Sequence, residues 1–130
     1  EPFKFSDTKG SVVLVNLWAI WCGPCREEMP ELVKMQEKYR GKKFQIVGLD
    51  VDPEPEAQVA KFVEKMGLNY KIGWAERGLV AEFIKLGGGK QGIPQSFLIN
   101  REGKLVAVFT GVGPNVIGKM KETVDRGVNE

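Results

Sequence analysis

Cys22 and Cys25 stand three residues apart in Trp21-Cys22-Gly23-Pro24-Cys25, and the chain of 130 residues holds no other cysteine. This spacing serves two chemistries: a dithiol that cycles with a disulfide, or half of a tetrahedral metal site. The metal reading needs further Cys or His ligands, and the chain has no third cysteine and no histidine. A purely structural disulfide is a third option, but closing so short a loop constrains the unfolded chain very little. The neighbouring residues favour redox work. The run Val12, Val13, Leu14, Val15, Leu17, Trp18, Ala19 has strand length and β-branched content, so it reads as a strand buried on both faces. Pro24 suits the first turn of a helix, where its missing N–H has no partner to lose. Cys22 is therefore expected just before that helix, its sulfur facing unpaired backbone N–H groups that favour a thiolate. Cys25 follows one turn later, close enough to close a disulfide. Cys22, placed at an exposed junction, is expected to attack first, and Cys25 to resolve the mixed disulfide.

Glu28 lies three residues beyond Cys25 and shares its helical face, whereas Glu27 is turned toward solvent. Held beside the cysteines under Trp18 or Trp21, the Glu28 carboxyl would lose hydration and keep its proton to higher pH. It could then carry the proton that Cys25 gives up. The plainer alternative is a solvated acid favoured in the early turns of a helix.

The elements that must position these groups follow from pattern and punctuation. Phe3-Lys4-Phe5 alternates like a short strand, and residues 6–10 form a polar turn into the central strand. The helix after the cysteines should run to about Tyr39, with Met29, Leu32, Val33 and Gln36 on one face and a kink at Pro30. Residues 44–51 (FQIVGLDV) read as a strand inside a sheet. Residues 53–66 read as a helix with Val59, Ala60, Phe62, Val63 and Met66 inward, closed by Gly67. A short edge strand over 70–72 and a helix over 76–86 follow, the helix presenting Leu79, Val80, Phe83 and Ile84. After a flexible loop over 87–92, strands over 96–100 and 104–110 pair as a hairpin through Arg101-Glu102-Gly103. A closing helix begins at Gly113-Pro114-Asn115, with Val116, Ile117, Met120 and Val124 inward. Met29, Met35, Met66 and Met120 share that helical spacing with other apolar residues, so they read as core rather than as copper ligands. The expected outcome is one α/β domain over 1–130, a mixed central sheet flanked by helices.

Composition sets the outer bounds. The chain is 42% hydrophobic and 28% charged with a formal charge of +2, values of an ordinary globular domain. No basic tract stands out, so nucleic acid is not an expected partner. The longest apolar run is broken at Asn16 and no stretch is long enough to span a bilayer. The sequence begins at Glu1 without a methionine, which leaves room for an upstream signal or anchor.

The residues Asn16-Leu17-Trp18-Ala19, Trp21-Cys22-Gly23-Pro24-Cys25 and Glu28-Met29-Pro30 resemble the active-site stretch of the thioredoxin superfamily, and of its TlpA/ResA-type thiol–disulfide oxidoreductases in particular. Gly92-Ile93-Pro94, then Ser96-Phe97-Leu98-Ile99-Asn100 and Glu102-Gly103-Lys104, match further on. The likeness covers nearly the whole chain. It implies a thioredoxin-like fold in which the strand over 70–72 and the helix over 76–86 are a TlpA/ResA-type central insertion. It also implies a cis bond at Ile93-Pro94, leaving the Ile93 backbone beside Cys22 to pair with an extended substrate. The plain alternative there is a trans-proline at a strand start. Trp21, Gly23, Pro24, Ile93 and Pro94 are thus the expected substrate contacts, with one of Trp18 and Trp21 in the core and the other on the rim. Asn16 stands where ordinary thioredoxins carry a buried aspartate. An amide cannot relay a proton, and this gives Glu28 more weight.

The resemblance implies a reductase acting on protein disulfides, such as those of apocytochrome c or of a metal-site assembly factor. It needs no cofactor beyond the Cys22–Cys25 pair and no metal. The strongly oxidising members of the superfamily lie ~150 mV above thioredoxin, several kcal/mol of added thiolate stabilisation at roughly 1.4 kcal/mol per 30 mV. Gly23-Pro24 offers no histidine to supply it, so a reductant is expected. A membrane or soluble thiol donor upstream, a monomeric state and a periplasmic or extracytoplasmic location, with an anchor outside this chain or a cytoplasmic site left open, complete the expectation. Two other classes compete: a thiol peroxidase, which Gly23-Pro24-Cys25 does not suit, and a copper(I)-binding assembly module using Cys22 and Cys25.

Overall fold

The computed structural model describes residues 9–52, 54–74, 76–89 and 92–130. The elements run β1 (Val12–Trp18), α1 (Gly23–Lys38), β2 (Phe44–Asp50), α2 (Glu56–Met66), β3 (Lys71–Trp74), α3 (Arg77–Leu86), β4 (Gln95–Ile99), β5 (Leu105–Thr110) and α4 (Pro114–Asn129). The five strands form one sheet in the order β3-β2-β1-β4-β5. β1 pairs parallel with β2 and β2 with β3, while β4 runs antiparallel to both β1 and β5. The sheet is mixed, as the sequence suggests. β1 lies at its centre, and all seven of its residues are buried.

Successive side chains of a strand point to opposite faces, and β1 divides its residues accordingly. Val12 and Leu14 pack with Leu32 and Met35 of α1, with Tyr39 at its C-cap, and with Met120, Val124 and Val128 of α4. Val13, Val15 and Leu17 pack on the other face, with Phe83 of α3 and Phe97 of β4. This parity puts Asn16 and Trp18 on the α1 side. Asn16 is opposite Ser96 of β4 and Gly48 of β2. Trp18 stacks on Phe62 of α2, ring centroids 5.3 Å apart. The carboxyl ends of β1 and β2 and the amino end of β4 meet at one edge of the sheet, the edge at which open α/β sheets hold their ligands.

Several expectations move by a few residues, each for a physical reason. The second helix begins at Glu56 rather than at 53, because Pro55 caps it and disfavours the α conformation at Glu54 before it. Ala60 is exposed, not inward; Phe62 is the buried residue of that helix. The edge strand is Lys71–Trp74, set by its pairing of Lys71 with Val47 through Trp74 with Asp50. The hairpin forms, and Asn100 fixes its turn: Oδ1 accepts from the Glu102 and Lys104 N–H groups. α1 runs through Pro30, where the ring leaves the Arg26 carbonyl without its helical donor. Gln36 on α1 ties the helix to β2, donating to the Phe44 carbonyl and accepting from the Ile46 N–H. The strand expected at Phe3-Lys4-Phe5, the start of the following turn, Pro53, and Lys90-Gln91 of the loop lie outside the described residues.

Candidate redox site

β1 ends at Trp18, and a turn closed by the Cys22 N–H on the Ala19 carbonyl (3.1 Å) delivers Cys22 to the start of α1. Cys22 is the N-cap residue, with φ −87° and ψ 104°. Its sulfur accepts the Cys25 N–H at 3.2 Å, one of the donors that the first turn of a helix leaves unpaired. Gly23 and Pro24 occupy the first turn, as the sequence suggests. The two sulfurs are bonded, with the Cα atoms 5.3 Å apart. A Cβ added at Gly23 would meet nothing nearer than Arg26 Nη2 at 3.9 Å, so packing does not dictate glycine there.

One expectation fails here. Cys22 is only 4% exposed and Cys25 2%, so the junction is not open and exposure barely separates them. What separates them is position: Cys22 receives the helix N–H and borders the rim, while Cys25 lies within the helix. The reason for the burial is the loop before β4. The Ile93–Pro94 bond is cis, Pro94 is buried, and the Ile93 carbonyl oxygen lies 3.8 Å from Cys22 Sγ. Ile93 also packs against the cluster of Trp18, Ala19, Cys22 and Cys25. The Pro94 carbonyl accepts from Gly111 N–H at 3.0 Å, and Gln95 Nε2 donates to the Gly92 carbonyl at 2.7 Å, so the loop is tied at both ends.

Trp18 is the core indole and Trp21 the rim. Trp21 is 63% exposed, and its Nε1 donates to Asp52 Oδ2 at 2.9 Å. That bond rests on the end of β2, where the Asp52 N–H donates to Asp50 Oδ1 at 2.9 Å. Burial and the neighbouring Glu54 carboxyl push Asp50 up to about 7.

Glu28, three residues after Cys25 on α1, is 3% exposed. Burial pushes its carboxyl up to about 7, partly offset by a hydrogen bond from Asn16 Nδ2 to Oε1 at 2.9 Å. The same Nδ2 donates to Ser96 Oγ at 3.0 Å. Tyr70, also buried, has its phenol raised by burial and by the Glu28 charge. Glu27, by contrast, is exposed. Glu27, Glu28 and Glu31 line a cavity of about 280 Å³ between α1 and the start of α4.

The structure therefore assembles Trp21, Cys22, Gly23, Pro24 and Cys25 with Ile93 and Pro94, and sets Glu28 in a second layer with Asn16. Sequence reasoning gave no site role to Ser96, Tyr70, Asp50 or Asp52. Strand register brings Ser96 to Asn16, and chain crossover brings Tyr70 within the influence of the Glu28 charge. The acids after β2 sit at the carboxyl end of a predicted strand, and that placement is the signal that points to them. Among the described residues no cluster of three or more His, Cys, Asp or Glu side chains could hold a metal ion.

Comparison with known proteins agrees with this geometry. The model of the AhpC/TSA family matches residues 1–108. The chain is 35% identical over 111 residues to the thiol-disulfide oxidoreductase ResA of Bacillus thuringiensis subsp. konkukian, and 33% identical over 111 residues to that of Bacillus anthracis. The matches cover 85% of this chain and 61% of each relative, so the chain spans about three-fifths of their length. Among solved structures, a thioredoxin-family thiol:disulfide interchange protein from Chlorobium tepidum superposes with a TM-score of 0.81 at 31% identity, covering 98% of this chain and 87% of that one. A thiol:disulfide interchange protein from a Bacteroides species gives 0.76 at 28% identity, covering 97% and 78%.

Proposed function

The chain belongs to the AhpC/TSA family, within the thioredoxin superfamily, and on that premise we propose that it is a thiol–disulfide oxidoreductase that reduces protein disulfides through Cys22 and Cys25. The observation that carries the reading is Cys22 at the N-cap of α1, with the Cys25 N–H on its sulfur and the Ile93-Pro94 loop beside it. The backbone donor and the positive end of the helix stabilise a thiolate there. The Cys22 thiolate attacks a partner disulfide, forming a mixed disulfide and releasing the first partner sulfur as a thiolate, which takes a proton from water. Cys25 then loses its proton and attacks Cys22 Sγ. The second partner sulfur leaves as a thiolate and is likewise protonated by water, and the Cys22–Cys25 disulfide forms. Two electrons pass to the partner.

Glu28 accepts the Cys25 proton in the second step. A carboxyl pushed up to about 7 is matched to that task near neutrality. Trp21, Gly23, Pro24, Ile93 and Pro94 form the surface that meets the partner, an extended segment lying along the Ile93 backbone. The pair of cysteines is the whole redox group, with no added cofactor. Gly23-Pro24 adds no positive charge beside the thiolate, which supports a reductant. The relatives named thiol-disulfide oxidoreductase support the exchange chemistry, and the resemblance to TlpA/ResA-type proteins points to an extracytoplasmic setting, protein disulfides such as those of apocytochrome c, and an upstream thiol donor.

The test is a titration of the pair against glutathione, run beside insulin reduction and peroxide turnover. The reading expects a potential nearer thioredoxin's, about −270 mV, than the ~−120 mV of a strong oxidant, with insulin reduced and peroxide untouched. Peroxide turnover without disulfide exchange would replace it with a peroxidase.

A further inference from the structure

Ser96 has no part in the exchange steps above, yet its hydroxyl is one of three buried polar groups joined in a row: Ser96 Oγ, Asn16 Nδ2 and Glu28 Oε1. The Asn16 amide nitrogen carries two hydrogens, and this arrangement uses both. It suits an ionised Glu28, which can only accept. A protonated Glu28 still accepts through its carbonyl oxygen, but a neutral acid holds the amide donor less strongly than a carboxylate does. A hydroxyl can accept or donate at one atom, and here the Ser96 oxygen accepts. Ser96 thereby fixes which end of the Asn16 amide faces the carboxyl.

From this geometry we infer that Ser96 is a positioning residue for proton transfer: its hydroxyl holds the Asn16 amide nitrogen toward Glu28, so that the donor is in place for the ionised carboxylate. Ser96 stands two residues after Pro94, in β4. The inference rests on the proposal that Glu28 takes the Cys25 proton. Removing the hydroxyl leaves one amide hydrogen without an acceptor and nothing to hold the amide nitrogen toward Glu28. The ionised carboxylate depends on that donor more than the neutral acid does. Loss of Ser96 Oγ thus favours neutral Glu28. The other titratable and charged groups around Glu28 are Cys25, Glu27 and Glu31 on α1, Tyr70 ahead of β3, and Lys121 of α4, which pairs with Glu31 at 2.6 Å. None of them touches Ser96 in the bonds above, so a change confined to its hydroxyl acts through Asn16.

The experiment follows the Glu28 carboxyl by carbon NMR across pH in the oxidised protein, for the natural chain, Ser96→Ala and Ser96→Thr. It is paired with the pH profile of disulfide exchange in the same variants and in Glu28→Gln. The expected result is a Glu28 midpoint about one pH unit higher in Ser96→Ala, the scale of one orphaned buried donor. Ser96→Thr, which keeps the hydroxyl, restores it, and the exchange profile moves with the midpoint. An unchanged midpoint in Ser96→Ala overturns the inference, as does a shift that threonine fails to reverse. An exchange profile indifferent to Glu28→Gln instead overturns the proton-carrier reading, while the NMR midpoints still report on Ser96.

Discussion

Glu28 is a carboxyl held where water scarcely reaches, with one amide donor and a phenol for company. Its pKa, raised from 4.5 to about 7, makes the folded state bind a proton that the unfolded chain releases. The stability this contributes is fully present below about pH 4.5 and is lost as pH rises through about 7; Asp50, raised likewise, acts in the same direction. At 1.36 kcal/mol per unit the Glu28 share is on the order of 3 kcal/mol. Denaturant titrations of the oxidised protein between pH 5 and 8 should show stability falling with pH. Glu28→Gln should flatten the slope, and a slope unchanged by that substitution would contradict a buried, proton-holding carboxyl. Glu28 was legible from its spacing to Cys25, and Asn16 from its place in an apolar run. Ser96 was not, because it reaches Asn16 across 80 residues of chain. The burial of Cys22 was hidden for a similar reason, since the covering residue, Ile93, arrives 71 residues later.

At the scale of elements, the fit of β1, β2 and α2 behind the cysteines hinges on one missing side chain. A Cβ on Gly48 would come 2.9 Å from Ile72 Cδ1, 3.0 Å from Trp18 Nε1 and 3.2 Å from Tyr70 Cε2. Ile72 can yield at the tip of its side chain, but the Trp18 ring is stacked on Phe62 and fully buried. Gly48→Ala should therefore cost about 1–3 kcal/mol by overpacking, read as a melting temperature lower by several degrees. A melting temperature equal to that of the natural chain would mean the indole has room to move. β1 and α1 were readable to within a residue, because a buried parallel strand and a proline-opened helix both leave strong patterns. The start of α2 was misplaced because its apolar spacing says nothing about where Glu54-Pro55 forbids helix. Ala60 is small enough for either face, and only the packing of Phe62 on Trp18 decides it.

Across the whole molecule, three chain segments distant in sequence bring their ends to one edge of the sheet. β1 delivers the cysteines through α1, β2 delivers the acids that hold Trp21, and the loop before β4 delivers Ile93 and Pro94. Among the described residues no helix is long and apolar enough to cross a membrane. The proposed exchange requires an order of events: Cys22 first, Cys25 second. The direct measurement is to mix the Cys22→Ser and Cys25→Ser proteins separately with a protein disulfide and locate any adduct by mass spectrometry. The account predicts a stable mixed disulfide on Cys22 of Cys25→Ser, and none from Cys22→Ser. An adduct on Cys25 of Cys22→Ser, or no adduct from Cys25→Ser, would contradict it.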